Sequence, residues 1–516
     1  MTPAKSGERE TVLRIDKITK VFGALRANDN ISLSLGRGEI LGLLGENGAG
    51  KTTLMNILFG HYVAEAGSIM VEGRLLPPGD PRAALAAGIG MVHQHFALAE
   101  NLTVLDNIIL GTRSLWQLRS GRQGARVRIA KLGEDFGLSV DPDAVISSLS
   151  VGELQRVEIL KALYRDARIL ILDEPTAVLT PQESTALFQT LNRFVANGLS
   201  IIFISHKLGE ILDACHRVAI LRGGKLVAVR AVENVTRAEL AELMVGRAVP
   251  QAKVEPQKTG STVLSLQNLH ARRASHSISA INLEVRSGEI VGIAGVSGNG
   301  QSLLADIVSG VVVPVSGTLC LAGIPMRAIN PRAMVAKGVA RIPEDRHAEG
   351  LIADMTIIEN VVSEAYRNAP YFRNGLIDWA KAREFAESII ADYQVKCPSP
   401  ETRVRLLSGG NMQKLILGRV MAGNPLVVLA NQPTRGLDVG ALAYVHEQLL
   451  AARANGAGIL LISEDLDELL ALSDRLAVMY RGQLSEPMPR GGVSIQRLGL
   501  MMAGQGFGQG EANHAA

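Results

Sequence analysis

The sequence is short of several things. It has three cysteines, Cys215, Cys320 and Cys397, far apart and without a C-x-x-C pair. That argues against a disulfide framework or a zinc site and fits a reducing compartment. Aromatic residues make up 4% against 47% apolar residues, the balance of a compact α/β protein. The formal net charge of +3 is small for 516 residues and does not by itself decide for or against nucleic acid. No apolar run is long enough to span a bilayer. The stretch Ile307 to Ile324 comes closest, but Pro314 and several glycines break it. The first ten residues lack the apolar core of a signal peptide, so any membrane role is expected to be peripheral. The length suggests two to four domains.

What is present begins with Gly45-Glu46-Asn47-Gly48-Ala49-Gly50-Lys51-Thr52, followed by Thr53-Leu54. This fits G-x-x-x-x-G-K-[ST], the phosphate-binding P-loop. The apolar run Ile40 to Leu44 before it reads as a buried strand, and Thr52 to Phe59 as the start of a helix. Glycines let backbone N–H groups turn inward around phosphate oxygens, and the helix N-terminus adds its positive end. Lys51 is placed to reach the β/γ-phosphates and the Thr52 hydroxyl to hold Mg²⁺.

The chain repeats itself. Ser34 to Ile40 (SLGRGEI) returns 250 positions later as Glu284 to Ile290 (EVRSGEI), and Gly45 returns as Gly295 at the same offset. Ser150-Val151-Gly152 returns as Ser408-Gly409-Gly410, and Pro175 as Pro433, both at an offset of 258. About eight extra residues therefore lie between the second glycine loop and its Ser-Gly-Gly motif. The expected division is 1–248, a linker at 249–261, 262–503, and a tail at 504–516 rich in Gly and small polar residues that reads as disordered.

In the first half, Val12 to Ile15 and Ile31 to Leu35 alternate like strands. Phe22, on a turn between them, is placed either to stack on an adenine ring or to pack as a core aromatic. Gln94 directly follows the strand-like Gly88 to Val92, a position that suits a metal or water contact or an ordinary turn. His93 and His95 read as packing or surface residues. Residues from about 103 to 161 read mostly as helices, and Ser150 is an N-cap candidate whose helix tip can also bind phosphate. Ile169 to Leu172 reads as a central parallel strand ending in Asp173-Glu174. Asp173 is placed to hold Mg²⁺ through water, and Glu174 to face the γ-phosphate. Ser200 to Ser205 is another buried strand, ending in His206, which is either structural or a γ-phosphate contact.

Both halves resemble ATP-binding-cassette nucleotide-binding domains, over nearly the whole chain and with the motifs in the family's order. The resemblance implies an α/β fold of two P-loop domains in tandem. Each would have a RecA-like mixed-sheet core, a helical subdomain and an antiparallel β subdomain. It makes Gly45 to Thr53 the Walker A motif, Gln94 the Q-loop and Leu149 to Gln155 the signature. Asp173 and Glu174 become Walker B, with Glu174 the general base, and His206 the switch histidine. More narrowly, the chain looks like the tandem cassette subunits of bacterial importers for simple sugars and nucleosides. Met91 to Phe96, Glu174 to Pro181 and Pro343 to His347 look most like the nucleoside branch linked to basic-membrane-protein receptors.

The second half departs from this pattern. Gln301 replaces the P-loop lysine, and Asn431 and Gln432 replace both Walker B carboxylates. Glu464 stands where the first half has His206, and Glu344 where it has Gln94. Hydrolysis there is expected to be very slow. The signature shows the opposite asymmetry: Leu407 to Gln413 has the family's full Ser-Gly-Gly form, whereas the first half carries Val151 in place of the first glycine. Asp438 resembles the D-loop aspartate, and the first half has no acid at Val178 to Thr180. In this family two cassettes meet head to tail, each ATP lying between one Walker set and the other signature. All the well-formed parts then fall in one composite site with ATP and Mg²⁺: Lys51, Thr52, Asp173, Gln94, Glu174 and His206 against Ser408, Gly409, Gly410 and Asp438. The resemblance further implies two transmembrane permease subunits, an extracytoplasmic solute-binding protein acting indirectly, and a peripheral position on the cytoplasmic face of the membrane, with no nucleic acid. A soluble tandem cassette acting on ribosomes or nucleic acid, and a regulatory cassette without transport, are the competing readings.

Overall fold

Long alternating stretches form the outer strands of this protein, and short all-apolar runs form the inner ones. In the computed structural model, the described residues are 9–23, 25–46, 48–93, 97–112, 122–176, 181–205, 207–246, 254, 257–273, 276–296, 298–367, 370–373 and 375–507. The chain divides into two compact units, Met1–Val249 and Pro250–Ala516.

The first unit runs β1 (Thr11–Phe22), β2 (Leu25–Gly36), β3 (Ile40–Gly45), α1 (Lys51–Leu58), β4 (Ala66–Val71), β5 (Arg74–Leu75), α2 (Pro81–Ala86) and β6 (Ile89–Val92). It continues with α3 (Val104–Ile109), α4 (Arg122–Phe136), α5 (Val151–Tyr164), β7 (Ile169–Asp173), α6 (Pro181–Ala196), β8 (Ser200–Ile204), α7 (Leu208–Ala214), β9 (Arg217–Arg222), β10 (Lys225–Ala231) and α8 (Arg237–Val245). Two sheets result. One is antiparallel, in the order β2-β1-β4-β5. The other is mixed, in the order β10-β9-β3-β8-β7-β6, and only β10 runs antiparallel to its neighbour. Strands β3, β7 and β8 are buried at every position, as strands covered on both faces must be. Helices α3, α4 and α5 pack on one another as a separate helical region.

The second unit repeats the plan with β11 (Thr262–Arg273), β12 (His276–Arg286), β13 (Ile290–Ala294), α9 (Gln301–Val308), β14 (Ser316–Leu321), β15 (Ile324–Pro325), α10 (Pro331–Ala336), β16 (Val339–Ile342), α11 (Ile357–Val362), β17 (Phe372–Arg373), β18 (Leu376–Ile377) and α12 (Trp379–Asp392). There follow α13 (Gly409–Met421), β19 (Val427–Asn431), α14 (Val439–Ala454), β20 (Gly458–Ser463), α15 (Leu466–Leu472), β21 (Arg475–Tyr480), β22 (Gln483–Leu484), β23 (Met488–Pro489) and α16 (Ile495–Met502). The core sheet order is β16-β19-β20-β13-β21-β22, with β23 also on β21. Both units are thus mixed-sheet α/β cores with an antiparallel sheet and a helical region.

The extra residues of the second unit enter at two places. The helix caps Thr103 and Thr356 lie 253 positions apart, so about three are added after Glu344, where Arg346–Gly350 makes a wide helical turn. The rest fall before Ser408, in a stretch that includes the β17–β18 hairpin.

Residues 257–261, in the stretch read as linker, already pair with the second unit: Gly260 N–H donates to Ser287 O, and Ser287 N–H to Ser261 O. Of the residues read as tail, Phe507 lies 5.7 Å from the Tyr480 ring, and 508–516 lie outside the described residues. No helix among the described residues is long and apolar enough to cross a membrane.

Candidate functional site

In the first unit the turn between β3 and α1 is a loop of positive-φ glycines, Gly48 at 81° and Gly50 at 97°. A side chain at Gly50 would strike Ala27 O at 2.2 Å, so this close approach to β2 requires glycine. Asn28, fully buried on β2, donates through Nδ2 to Gly50 O at 3.0 Å and pins the loop. Sequence reasoning passed over Asn28. Its signal was an amide at a core-facing strand position, where the second unit carries Ile278. Lys51 is buried, and its ammonium donates to Gly45 O at 2.6 Å and Glu46 O at 3.1 Å. The lysine is therefore held inside the loop that it is expected to fill with phosphate. Thr52 is exposed in the first turn of α1, with Thr53 half-buried behind it, and Ala49 is buried.

Walker B lies at the carboxyl end of the core sheet. Asp173 ends β7 and is buried, and burial above all, then Glu174, raises its carboxyl pKa above the ordinary range while Lys51 opposes. Those opposing influences place Lys51, Asp173 and Glu174 in one electrostatic neighbourhood. Glu174 has φ 48°, a left-handed conformation uncommon for a residue other than glycine, and its N–H donates to Ile204 O at 2.9 Å. Gln432 repeats both features, with φ 49° and a bond of 2.8 Å to Ile462 O. The backbone that presents the carboxylate is retained where the carboxylate is lost. Mg²⁺ fits the first unit's donor set: a hydroxyl at Thr52 and a carboxylate at Asp173 whose ionisation burial disfavours and a cation would restore. Asn47, Gln94 and His206 lie outside the described residues.

Phe22 ends β1 instead of sitting in the turn, and at 44% exposed it is not a core aromatic. Its edge meets Tyr62, ring centroids 5.5 Å apart at 75°, and the Lys20 ammonium lies 5.1 Å from its centroid. The equivalent hairpin end in the second unit is Arg273, which pairs with Asp306 of α9 at 2.7 Å. The second loop keeps its glycine geometry, with Gly298 at φ 89° and Gly300 at 112°. There Gln301 Nε2 donates to Val296 O at 3.0 Å, so a neutral amide replaces the ammonium. The Ser302 hydroxyl reaches Glu344 Oε2 at 3.4 Å, and Glu344 forms an ion pair with Arg435.

The two signature serines are in opposite states. Ser150 caps α5, and both its N–H and its hydroxyl donate to Glu153 Oε2, at 2.8 and 2.7 Å. These bonds hold the Glu153 carboxyl below the usual range. At Ser408 the hydroxyl oxygen instead accepts from Asn411 Nδ2 at 2.9 Å. That amide is fixed by Lys396 N–H donating to its Oδ1 at 2.9 Å. Ser408 thus keeps its own proton for another acceptor beside the open helix tip of Gly409 and Gly410. Asp438 caps α14, accepting from Ala441 N–H at 2.8 Å.

A P-loop between a buried strand and a helix, with an Asp-Glu pair ending a parallel strand of the same sheet, defines a phosphate-binding nucleotide hydrolase. The ABC transporter family matches residues 28–177 and again 278–435, and the chain belongs to that family. It is an ABC ATPase with two cassettes. The chain is 43% identical over 501 residues to a nucleoside import ATP-binding protein of Lactococcus lactis, covering 96% of this chain and 98% of that one. It is 44% identical over 498 residues to a guanosine import ATP-binding protein of Bacillus subtilis, with coverages of 96% and 98%. To a glucose import ATP-binding protein of Haloferax volcanii it is 42% identical, covering 96% of each. The solved structure titled RNase-L Inhibitor aligns with a TM-score of 0.62 over 92% of this chain and 90% of its own, at 19% identity, a likeness of fold alone.

Proposed function

We propose that this chain is the ATP-hydrolysing subunit of an importer and that it uses one competent composite ATP site. The observation that carries the reading is the sorting of parts. The ammonium, both carboxylates and the aromatic platform belong to the first unit, and the unobstructed signature serine and D-loop acid to the second. In this reading the P-loop from Gly45 to Thr53 wraps the phosphates and Phe22 carries the adenine. Lys51 leaves the Gly45 and Glu46 carbonyls for the β/γ-phosphates. Thr52, Asp173 and Gln94 would hold Mg²⁺, which when bound would neutralise developing charge on the phosphates. Ser408, with the N–H groups of Gly409 and Gly410, clamps the γ-phosphate, and Asp438 lines the seam. Glu174 takes the proton of the attacking water, and His206 contacts the γ-phosphate as water attacks it in line and ADP leaves.

Closure and reopening of the halves would drive two transmembrane permease subunits, with a solute-binding protein delivering cargo from outside. The chain would act at the cytoplasmic face of the membrane, as a peripheral subunit. Relatives of 42–44% identity named for nucleoside, guanosine and glucose import support the import role and leave a nucleoside or simple sugar as cargo. Radiolabelled nucleoside and sugar uptake with and without this subunit decides the cargo. Four substitutions test the site: Lys51→Ala and Ser408→Ala abolish ATP hydrolysis, while Gln301→Ala and Ser150→Ala leave most of it. Equal losses in all four refute the asymmetric site.

A further inference from the structure

In the second unit, the segment that corresponds to the Q-loop is tied to the two elements that the proposed site takes from that unit. Asp345 accepts from His347 N–H at 2.8 Å and Ala348 N–H at 3.0 Å, starting the wide turn Arg346–Gly350. Arg419, on the signature helix α13, donates to Gly350 O at 2.8 Å and fastens the far end of that turn. From its near end the Arg346 guanidinium donates to Arg435 O at 3.0 Å and to Gly436 O at 3.4 Å, in the loop that leads to Asp438. The same guanidinium lies against Gly409, where an added Cβ would be 3.6 Å from Cζ. Glu344, next but one along the chain, forms an ion pair with the Arg435 side chain. One short segment therefore grips the D-loop twice and touches the signature tip.

At neither of these positions does the first half carry a guanidinium. Its residues at the positions of Arg346 and Arg435 are Phe96 and Ala177. The two guanidinium groups are present only in the half whose signature and D-loop are intact.

We propose that Arg346 and the Glu344–Arg435 pair form a latch that sets the D-loop and the signature tip in register for the γ-phosphate, with Arg346 as a positioning residue. The segment that lost its glutamine has become a strut. A guanidinium suits this task because its planar fork can hold two carbonyl oxygens at once, which an ammonium cannot do with the same rigidity. Both carbonyls belong to a turn at Gly436, φ 66°, so the fork holds the backbone of that turn from the side of the signature tip.

The latch rests on the composite-site reading, and the test separates the two. ATP hydrolysis by the full-length chain is measured against ATP concentration. Arg346→Ala lowers kcat about 10–100-fold, the cost of a misplaced reacting geometry, with KM for ATP within about twofold. Arg346→Lys falls between the two. Glu344→Arg and Arg435→Glu each lower kcat, and the double variant restores at least about half of it, the coupling expected of a direct pair. Wild-type kcat in Arg346→Ala overturns the latch, as does a double variant no better than either single. The charge-swapped pair decides the matter should Arg346→Ala not fold. If Ser408→Ala abolishes hydrolysis while Arg346→Ala does not, the latch alone falls. If Ser408→Ala is fully active, the composite site falls with it.

Discussion

Asn411→Glu rebuilds the first signature inside the second and isolates the role of one hydroxyl proton. In the first signature the Ser150 hydroxyl donates that proton's hydrogen bond to Glu153 Oε2 at 2.7 Å. In the second, Asn411 donates to Ser408 instead, at 2.9 Å, and the proton remains available. A charge-assisted hydrogen bond to a phosphate oxygen contributes about 1.5–3 kcal/mol. At about 1.4 kcal/mol per decade, its loss slows hydrolysis roughly 10–150-fold. In the proposed composite site the new carboxylate would adjoin the γ-phosphate and add repulsion, so the upper part of that range is expected. Folding does not confound this signature mutation, because the Ser-x-x-Glu box is itself a favourable helix start. The variant gives up the bond from Lys396 N–H, about 1 kcal/mol. The assay is steady-state phosphate release at saturating ATP, with thermal melting alongside. Glu153→Gln is the matched control and stays within about twofold of wild type. Wild-type kcat in a folded Asn411→Glu refutes the argument.

Phe22→Ala removes an exposed ring that Tyr62 and Lys20 support, and ATP binding measured by fluorescent nucleotide displacement weakens about 10-fold, as expected for loss of one stacking partner. The second-unit equivalent, Arg273→Ala, leaves that affinity unchanged, since its guanidinium is engaged with Asp306. His216 accepts from Ile40 N–H at 3.0 Å through Nδ1, and burial above all holds its pKa below the ordinary value. The unfolded chain therefore takes up the proton first as pH falls, so this stabilisation is present above about pH 6.5 and is lost on acidification below it. Thermal melting between about pH 7.5 and 5.5 should fall further in wild type than in His216→Gln. Equal slopes would remove His216 from the account.

The strand–loop–helix around Lys51 and the Asp-Glu strand end were legible because their signals are local: an apolar run, a glycine spacing, a paired charge. The order of motifs then gave the two-cassette fold. What stayed hidden depends on which side-chain atoms meet, some of them across the chain. Asn28 looks like one polar residue among several on β2 until its amide is seen on Gly50. Glu153 and Asn411 look interchangeable as helix-start residues, yet one consumes the serine proton and the other spares it. The change from Gln94 to Glu344 reads as a lost contact, whereas the paired gain of Arg435, 91 positions away, turns it into a new one. Phe22 was ambiguous because a single aromatic carries no periodicity, and its exposure shows only that it is not a core ring.

The central claim is that ATP is hydrolysed on the first unit's Walker residues alone. Vanadate trapping with a photoreactive azido-ATP, followed by peptide mapping, tests it most directly. About one trapped nucleotide per chain, on peptides of the first unit around Lys51, is the result expected from one competent phosphoryl-transfer site. Two per chain, or equal labelling of the Gln301 region, would contradict it.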